Sequence, residues 1–340
     1  MKKSLKHDLH SFELQIRRCD IVGSYDIADH TLKLVLKAIE SPRISSFEVE
    51  RSIKFIVETL MDHFPSDVII VNVCKIILNR LNDELRLSQP KKRSHKVKKS
   101  LSILDMMTLG NEDDNESEPK SELKTRMTEF LELQIENLVS SYEMIAKNAP
   151  NFLFKDDIIL TVGNSGSIFK FLTSCPTDIT VVIPEGAPSY DGVKFADKLI
   201  REKSIRVIVI PDSAIFAIFP RINKVIVPAR AVLSNGGIVS FSLTHSIALA
   251  AKHHAKPFIA LYWVMKLAEK VPRPGTTFTT LLEPEKIFEK ENPLSSNVVA
   301  LNAESDYVPP ELITLMINED GAHCPADVFS LVQENYADAN

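Results

Sequence analysis

The chain has 340 residues, 44% of them hydrophobic and 25% charged, with 40 Lys and Arg against 45 Asp and Glu for a net charge of −5. Such values describe a globular protein with room for two domains and exclude a general nucleic-acid binder, whose footprint is basic. No apolar stretch approaches the roughly 20 residues needed to span a bilayer, and the N-terminal "MKKSLKHDLHSFELQIRR" lacks the apolar centre of a secretory signal. Cys19, Cys74, Cys175 and Cys324 are scattered and none forms a CxxC pair, so the expected location is the cytosol, with reduced thiols.

From Ser4 to about Leu87 apolar residues recur at helical spacing, in "FELQIRRCDIV", "IADHTLKLVLKAIE", "FEVERSIKFIVETLM" and "DVIIVNVCKIILNRLNDEL". "SPRISS" at 41–46 reads as a connection between helices. A polar insert follows at about 88–121, basic in "KKRSHKVKK" at 91–99 and acidic in "NEDDNESEPKSE" at 111–122. Its charges favour a disordered, solvated loop over a nuclear localisation signal, with "LSILDMMTLG" as a segment able to dock locally. Helical spacing resumes in "LKTRMTEFLELQIENLVSSYEMIAKN".

After Asp156 the pattern changes to short apolar runs, "DIILTVG", "DITVVIP", "IRVIVIP", "KVIVP" and "PFIALYW". They alternate with the helical stretches "SIFKFLTS", "GVKFADKLIRE", "SAIFAIFPRI" and "LTHSIALAAKHHA". Continuously apolar strands alternating with helices predict a parallel sheet covered on both faces. The expected architecture is α/β: an N-terminal all-helical domain over 1–150, then a Rossmann-like, doubly wound parallel-sheet domain over 151–340.

Such sheets bind ligands outside the carboxyl ends of their strands. Three loops meet that description: "GNSGS" at 163–167, "PEGAPSYDG" at 184–192 and "PARAVLSNGG" at 228–237. Small residues before a helix start suit a phosphate, and they equally suit a tight turn. The candidate crevice residues are Gly163, Asn164, Ser165, Gly166, Arg230, Asn235 and Gly236. The spacing is wrong for GxGxxG or a Walker loop, and Ser165 and Ser167 lack the GxSxG context of a nucleophile elbow. His253 and His254, adjacent on a helix, point about 100° apart, and His245 has no carboxylate at ligand spacing. No metal, cofactor or catalytic group is expected.

"DSAIFAIFPRINKVIV", "VLSNGG", "THSIALAAKHHAKPFIALYWVMKL" and "DYVPPELITLMI" resemble the regulatory subunits of eukaryotic translation initiation factor 2B, the beta chains most of all. The resemblance is strong over about 156–335 and extends to the helical half only in general organisation. It departs at "SLTH", where related beta chains carry "GTH". The same superfamily holds methylthioribose-1-phosphate and ribose-1,5-bisphosphate isomerases, which move protons with a cysteine and an aspartate. Their cysteine falls at Gly163, their aspartate at Arg230, and the Asn-Lys pair that follows at Ser240 and Phe241. Glycine has no side chain to carry a proton, and arginine stays protonated.

The resemblance thus implies a non-enzymatic subunit of the guanine nucleotide exchange factor for initiation factor 2. The implied partners are alpha, gamma, delta and epsilon chains, in a decamer of two copies of five subunits, and the alpha subunit of initiation factor 2, whose phosphorylation the helical domain senses. "VIVIP", "FPRINKVIV" and "PFIALYWVM" are read as supplying apolar surface for that assembly. The alternatives are a sugar-phosphate isomerase with relocated groups and a small-molecule-binding regulator using the remnant crevice.

Overall fold

The computed structural model describes residues 2–18, 20–21, 23–41, 46–65, 67–88, 118–175, 178–202, 205–270, 281–287 and 298–336. The chain divides into two compact units, residues 1–137 and 138–338. Most of the polar insert and most of "SPRISS" lie outside the described residues. Among the described residues no helix is long and apolar enough to cross a membrane.

The first unit is helical: α1 (Lys2–Arg17), α2 (Ser24–Glu40), α3 (Ser46–His63), α4 (Val68–Ser88) and the first part of α5 (Glu118–Ala146). Each helix turns one apolar stripe inward: Leu32, Val35 and Ile39 on α2; Ile53, Ile56, Val57 and Leu60 on α3; Ile70, Val73, Ile77 and Leu81 on α4. Spacings of three and four residues keep such a stripe on one face, and each fully buried side chain contributes roughly 1.5–3 kcal/mol. Asp67 caps α4, its carboxylate accepting the N–H groups of Ile69 and Ile70 at 2.9 and 3.0 Å. The helix α5 begins at Glu118, inside the stretch expected to be loop. Proline at 119 is compatible with that start, because first-turn N–H groups have no intrahelical acceptor to lose.

The most deeply buried of its described charges ties α4 to α5. Glu84, 2% exposed, meets Arg80 on its own helix at 2.5 Å and Arg126 of α5 at 3.0 Å. Both arginines are about 40% exposed, at 42% and 40%, so they can turn to water once the carboxylate is gone. Glu84→Ala is therefore expected to cost about 1–2 kcal/mol, below the 3–5 kcal/mol of a pair broken in a dry interior. Urea denaturation measures it, and a loss under 0.5 kcal/mol means the pair is ornamental. Farther along α4 the Cys74 thiol is buried and pushed up to about 12, chiefly by desolvation, which makes it inert at neutral pH.

The second unit holds the end of α5, then α6 (Ala149–Phe152), β1 (Ile158–Leu160), α7 (Gly166–Thr173), β2 (Ile179–Pro184), α8 (Asp191–Leu199) and β3 (Ile205–Ile210). It continues with α9 (Ile215–Ile218), β4 (Lys224–Pro228), β5 (Ala231–Leu233), β6 (Ile238–Phe241), α10 (Thr244–His253), β7 (Phe258–Leu261) and β8 (Leu267–Ala268). The last elements are β9 (Leu281–Leu282), β10 (Asn302–Ala303), β11 (Ser305–Val308), β12 (Leu315–Ile317), β13 (Ala322–His323) and α11 (Val328–Tyr336).

Seven strands form the main sheet in the order β13-β12-β7-β4-β1-β2-β3. All its pairings are parallel except that of β13 with β12. The parallel strands thus run outward from β1 in both directions, and the order reverses between β1 and β4, which is the doubly wound arrangement expected.

Three expectations need correction. The stretch 228–237 is not one loop: β5, buried at Ala231, Val232 and Leu233, joins a second sheet of order β11-β6-β5-β8. Its strands have two to four residues, too few for period-two alternation to register in sequence. "SAIFAIFPRI" is not one helix but a 3-10 turn at Asp212–Ala214, the four-residue α9, and a second 3-10 turn at Phe219–Arg221. Pro220, with no N–H, cannot continue an α-helix. Finally, β4 and β7 are buried throughout; of the apolar runs read as spare, β3 carries surface residues, Ile208 at 41% and Val209 at 44% exposure. The second sheet and α10 cover the rest, as continuous apolar strands require.

Candidate ligand crevice

Four parallel strands deliver their carboxyl ends to one edge of the sheet. β1 leads into Gly163–Ser167 and α7, β4 into Ala229 and Arg230, β7 into Tyr262–Lys266, and β12 into Asn318–Asp320. The reversal between β1 and β4 is the place where such a sheet parts to admit a ligand.

Here that place is filled by the chain itself. Gly163 has φ +71, and a Cβ built on it stands 2.5 Å from Cδ2 of Phe241. The Phe241 ring therefore occupies the space a side chain at 163 needs. Over the same ring, at 4.5 Å from its centroid, lies the guanidinium of Arg230, a cation–π contact. Arg230 in turn pairs through Nη1 with Oε1 of Glu304 at 2.5 Å. Gly163, Phe241, Arg230 and Glu304 make a continuous column. Beside it Ser240 is fully buried, its hydroxyl donating to the Pro228 carbonyl at 2.5 Å.

The remaining candidates are held elsewhere. Oδ1 of Asn164 accepts from Lys198 at 3.0 Å, and the hydroxyls of Ser165 and Ser167 bond each other at 2.9 Å. A Cβ on Gly166 comes to 3.2 Å from the ring of Tyr142 in α5, so the start of α7 is covered. Asn235 and Gly236 make the β5–β6 turn. Oδ1 of Asn235 accepts from the Gly237 N–H at 3.0 Å, and its Nδ2 donates to the Tyr307 hydroxyl at 2.8 Å. Gly236, at φ +83, presses against Pro325, whose carbonyl oxygen is 2.2 Å from a Cβ built there. The 184–192 loop is tied down by Asp212, which accepts from the N–H groups of Gly186 and Ala187 at 2.9 Å each.

At "SLTH", Leu243, immediately before Thr244, is left-handed at φ +83, a conformation that glycine adopts freely. A non-glycine residue costs about 1–2 kcal/mol there, offset by packing of Leu243 against the core. His245 donates through Nδ1 to the Tyr307 carbonyl at 2.6 Å, and the rings of His253 and His254 meet edge-on at 4.9 Å. Among the described residues no group of three or more His, Cys, Asp and Glu is placed to hold a metal ion.

Four groups at this edge escaped the sequence reading. Lys266, 5% exposed, donates to the Ala229 carbonyl at 2.6 Å; burial, aided by the charge of Arg230, pulls it down to about 7. Burial pushes Glu319 up to about 7, against the opposing pull of hydrogen bonds from its own N–H and that of Val264. Both its oxygens accept from Val264 N–H, at 3.0 and 3.2 Å. Buried Tyr262 is also raised by desolvation, and its hydroxyl meets Nε2 of His323 at 2.8 Å. Glu304 is the fourth. Lys266 left one signal, as the single charge in "PFIALYWVMKLA", where Tyr262 reads as one more apolar residue; Glu304 and Glu319 sit in polar loops without pattern.

The sequence pattern of the initiation factor 2 subunit family matches residues 20–325. The chain belongs to that family. It is similar to translation initiation factor eIF2B subunit beta of Dictyostelium discoideum, 27% identical over 96% of this chain and 94% of the relative. Its fold is similar to that of the tetrameric eIF2B-beta2-delta2 complex from C. thermophilum, with TM-score 0.72 and 18% identity over 98% of this chain and 95% of that one. It is also similar to 5-methylthioribose 1-phosphate isomerase from Pyrococcus horikoshii OT3, with TM-score 0.68 and 16% identity over 97% of this chain and 87% of that one. The family's fold is thus shared with an enzyme, so function turns on side chains at the strand ends.

Proposed function

We propose that the chain is a non-catalytic regulatory subunit of the guanine nucleotide exchange factor for translation initiation factor 2, in the place of a beta chain. The observation that carries this reading is the column of Gly163, Phe241 and Arg230. Aldose–ketose isomerisation needs a group that takes a proton and a group that returns it, both beside the substrate. Where the resemblance to the isomerases places those groups, this chain has no side chain at 163 and a permanent cation at 230, and the ring of Phe241 fills the space between.

With chemistry absent, the chain acts by binding. The similarity to eIF2B beta of Dictyostelium discoideum, and to the eIF2B-beta2-delta2 tetramer of C. thermophilum, supports assembly with delta-type chains; the reading extends this to alpha, gamma and epsilon chains in a cytosolic decamer. The helical domain over 1–150 is the part that meets the alpha subunit of initiation factor 2. The exposed Ile208 and Val209 on edge strand β3 suit the assembly, because an unpaired apolar edge left in water is an aggregation site.

Co-expression tests the reading. A tagged chain is expected to be poorly soluble alone, and to gain solubility and a higher melting temperature with a delta-type chain, eluting with it as one species. A stable, monodisperse monomer at micromolar concentration that ignores the delta-type chain overturns assembly. Turnover of 5-methylthioribose 1-phosphate overturns the non-catalytic assignment.

A further inference from the structure

We infer that the free edge of β3, with the flank of α8 beside it, is a docking strip for one extended, apolar and acidic segment of a partner chain. That segment adds to the sheet as a further strand and sets a carboxylate on Arg206. This use of the edge rests on the chain being a binding subunit, as proposed above, and specifies how it binds.

The two ends of the main sheet differ. At one end β13 is only Ala322–His323 and runs antiparallel to β12, a short edge that resists further pairing. At the other end β3 pairs with β2 in unbroken parallel register, from Ile205 with Ile179 to Ile210 with Pro184. The outer side of such a strand presents a row of unpaired N–H and C=O groups, which proteins usually blunt with a bulge, a proline or a lysine. None of these interrupts Ile205–Ile210, and Arg206 is its single charge.

The helix α8 widens the strip. It packs on β2 and β3, with Phe195, Ala196 and Leu199 buried. At 100° per residue, Val193 and Ile200 share one flank, and Lys198 lies about 140–160° away on the other. Lys198 reaches Asn164 in the loop after β1, at 3.0 Å. Its flank therefore faces the middle of the sheet, and the flank of Val193 and Ile200 faces the β3 edge. Ile200 is 73% exposed, and with Val193 it continues the apolar surface of Ile208 and Val209.

Charge selects the occupant. Alternation puts Arg206 and Ile208 on one face of β3. Arg206 is exposed, and no carboxylate meets it among the described residues. A second copy of the chain does not supply one. Antiparallel pairing of β3 with itself sets apolar residues or another arginine opposite Arg206, and like charges so placed repel. The flanking acids lie outside the strand: Glu202 in the turn before it, and Asp212 already accepting from Gly186 and Ala187. The partner is thus a different chain with alternating apolar and acidic residues. Main-chain hydrogen bonds to β3 give its affinity; a carboxylate opposite Arg206 and an apolar side chain for Val193 and Ile200 fix its register.

The probe is a synthetic peptide of alternating valine and glutamate, passed over the tagged full chain held on a sensor surface. A second peptide carries lysine in place of each glutamate, and a third keeps the glutamates but has its central amides N-methylated. The wild type is expected to bind the glutamate peptide at least about tenfold more tightly than the lysine peptide, and the preference should shrink with added salt. The N-methylated peptide should not bind, because it has no N–H to give to the edge. Arg206→Glu, a change at an exposed position, should reverse the order of the first two peptides, and Ile200→Ser should weaken the glutamate peptide. Circular dichroism and a thermal melt establish that each variant is folded. Four results overturn the inference: the wild type binds neither charged peptide, it binds both alike, folded Arg206→Glu keeps the original preference, or N-methylation leaves binding intact. Assembly is read separately, from co-elution with a delta-type chain, so failure of strand addition and failure of assembly show in different measurements.

Discussion

Gly163→Cys is expected to destabilise the α/β unit by about 2–5 kcal/mol and to produce no isomerase. Two costs add. A side chain at φ +71 is held in the left-handed region, at about 1–2 kcal/mol. Its Cβ also stands 2.5 Å from the Phe241 ring, and forcing the ring aside in a packed core costs typically 1–3 kcal/mol. Because both costs fall on Cβ, Gly163→Ala should lose nearly as much as Gly163→Cys. Phe241→Ala opens space, so the double variant should lose less than the sum of the singles, with a coupling above 1 kcal/mol. Urea denaturation of the four proteins measures this. A Gly163→Ala variant within 0.5 kcal/mol of wild type would mean that the ring yields freely and the crevice is not plugged. Adding Arg230→Asp sets a second carboxylate against Glu304 and deepens the loss, so introducing the two residues that the resemblance to the isomerases implies is expected to yield a weaker fold rather than an active one.

The second large effect is a dip in stability near pH 7. Glu319, raised from 4.5 to about 7, binds its proton more tightly when folded. Its contribution is complete below pH 4.5 and is lost as the pH rises to 7. Lys266, lowered from 10.5 to about 7, behaves oppositely: its contribution is complete above 10.5 and is lost as the pH falls to 7. The two losses meet near neutrality, each on the order of 3–5 kcal/mol. His323 complicates the acid side, since burial pulls it below 6.5 and its contribution is lost as the pH falls past that value. The acid limb is therefore read from the difference between wild type and Glu319→Gln, and the alkaline limb from Lys266→Met. Each variant should flatten its own limb and, because the two charges act on each other, shift the other limb by a smaller amount. If Lys266→Met retains the full rise between pH 7 and 10, Lys266 is charged in the folded chain and the reading of its burial is wrong.

What the sequence disclosed follows from what leaves a periodic trace. The helical stripes of α2 to α4 and the apolar runs of β1, β2, β3, β4 and β7 repeat over enough residues to be recognised. β5, β6, β8 and β11 are too short to repeat, and although β5 and β6 form a local hairpin, β8 and β11 join them from distant segments, so no period announces the sheet. In the crevice, Gly163 and Arg230 were legible because a resemblance gave them positions. The fact that joins them, the ring of Phe241, was not, since register across the second sheet decides where that side chain points. Asn235 and Gly236 looked like the same loop chemistry as Asn164 and Gly166. The structure engages them in turn geometry at the β5–β6 hairpin, a role that Gly and Asn fill equally well.

The strand order also bears on how the chain is made. β1 lies between β2 and β4, and its register with β4 pairs Ile159 with Lys224, residues far apart along the chain. On a ribosome, the helical unit, built from contacts between neighbouring helices, can be complete while the sheet is still half synthesised. β1, β2 and β3 emerge together, but the central seam waits for β4, and the far side waits for β7 and β12. Sheets with such high contact order form slowly, and their partial forms expose strand edges. The nascent chain therefore passes through a stage in which its first unit is folded and its second is a three-stranded fragment with both edges bare. Chaperone engagement should concentrate there, between synthesis of β3 and of β7, and not on the N-terminal half.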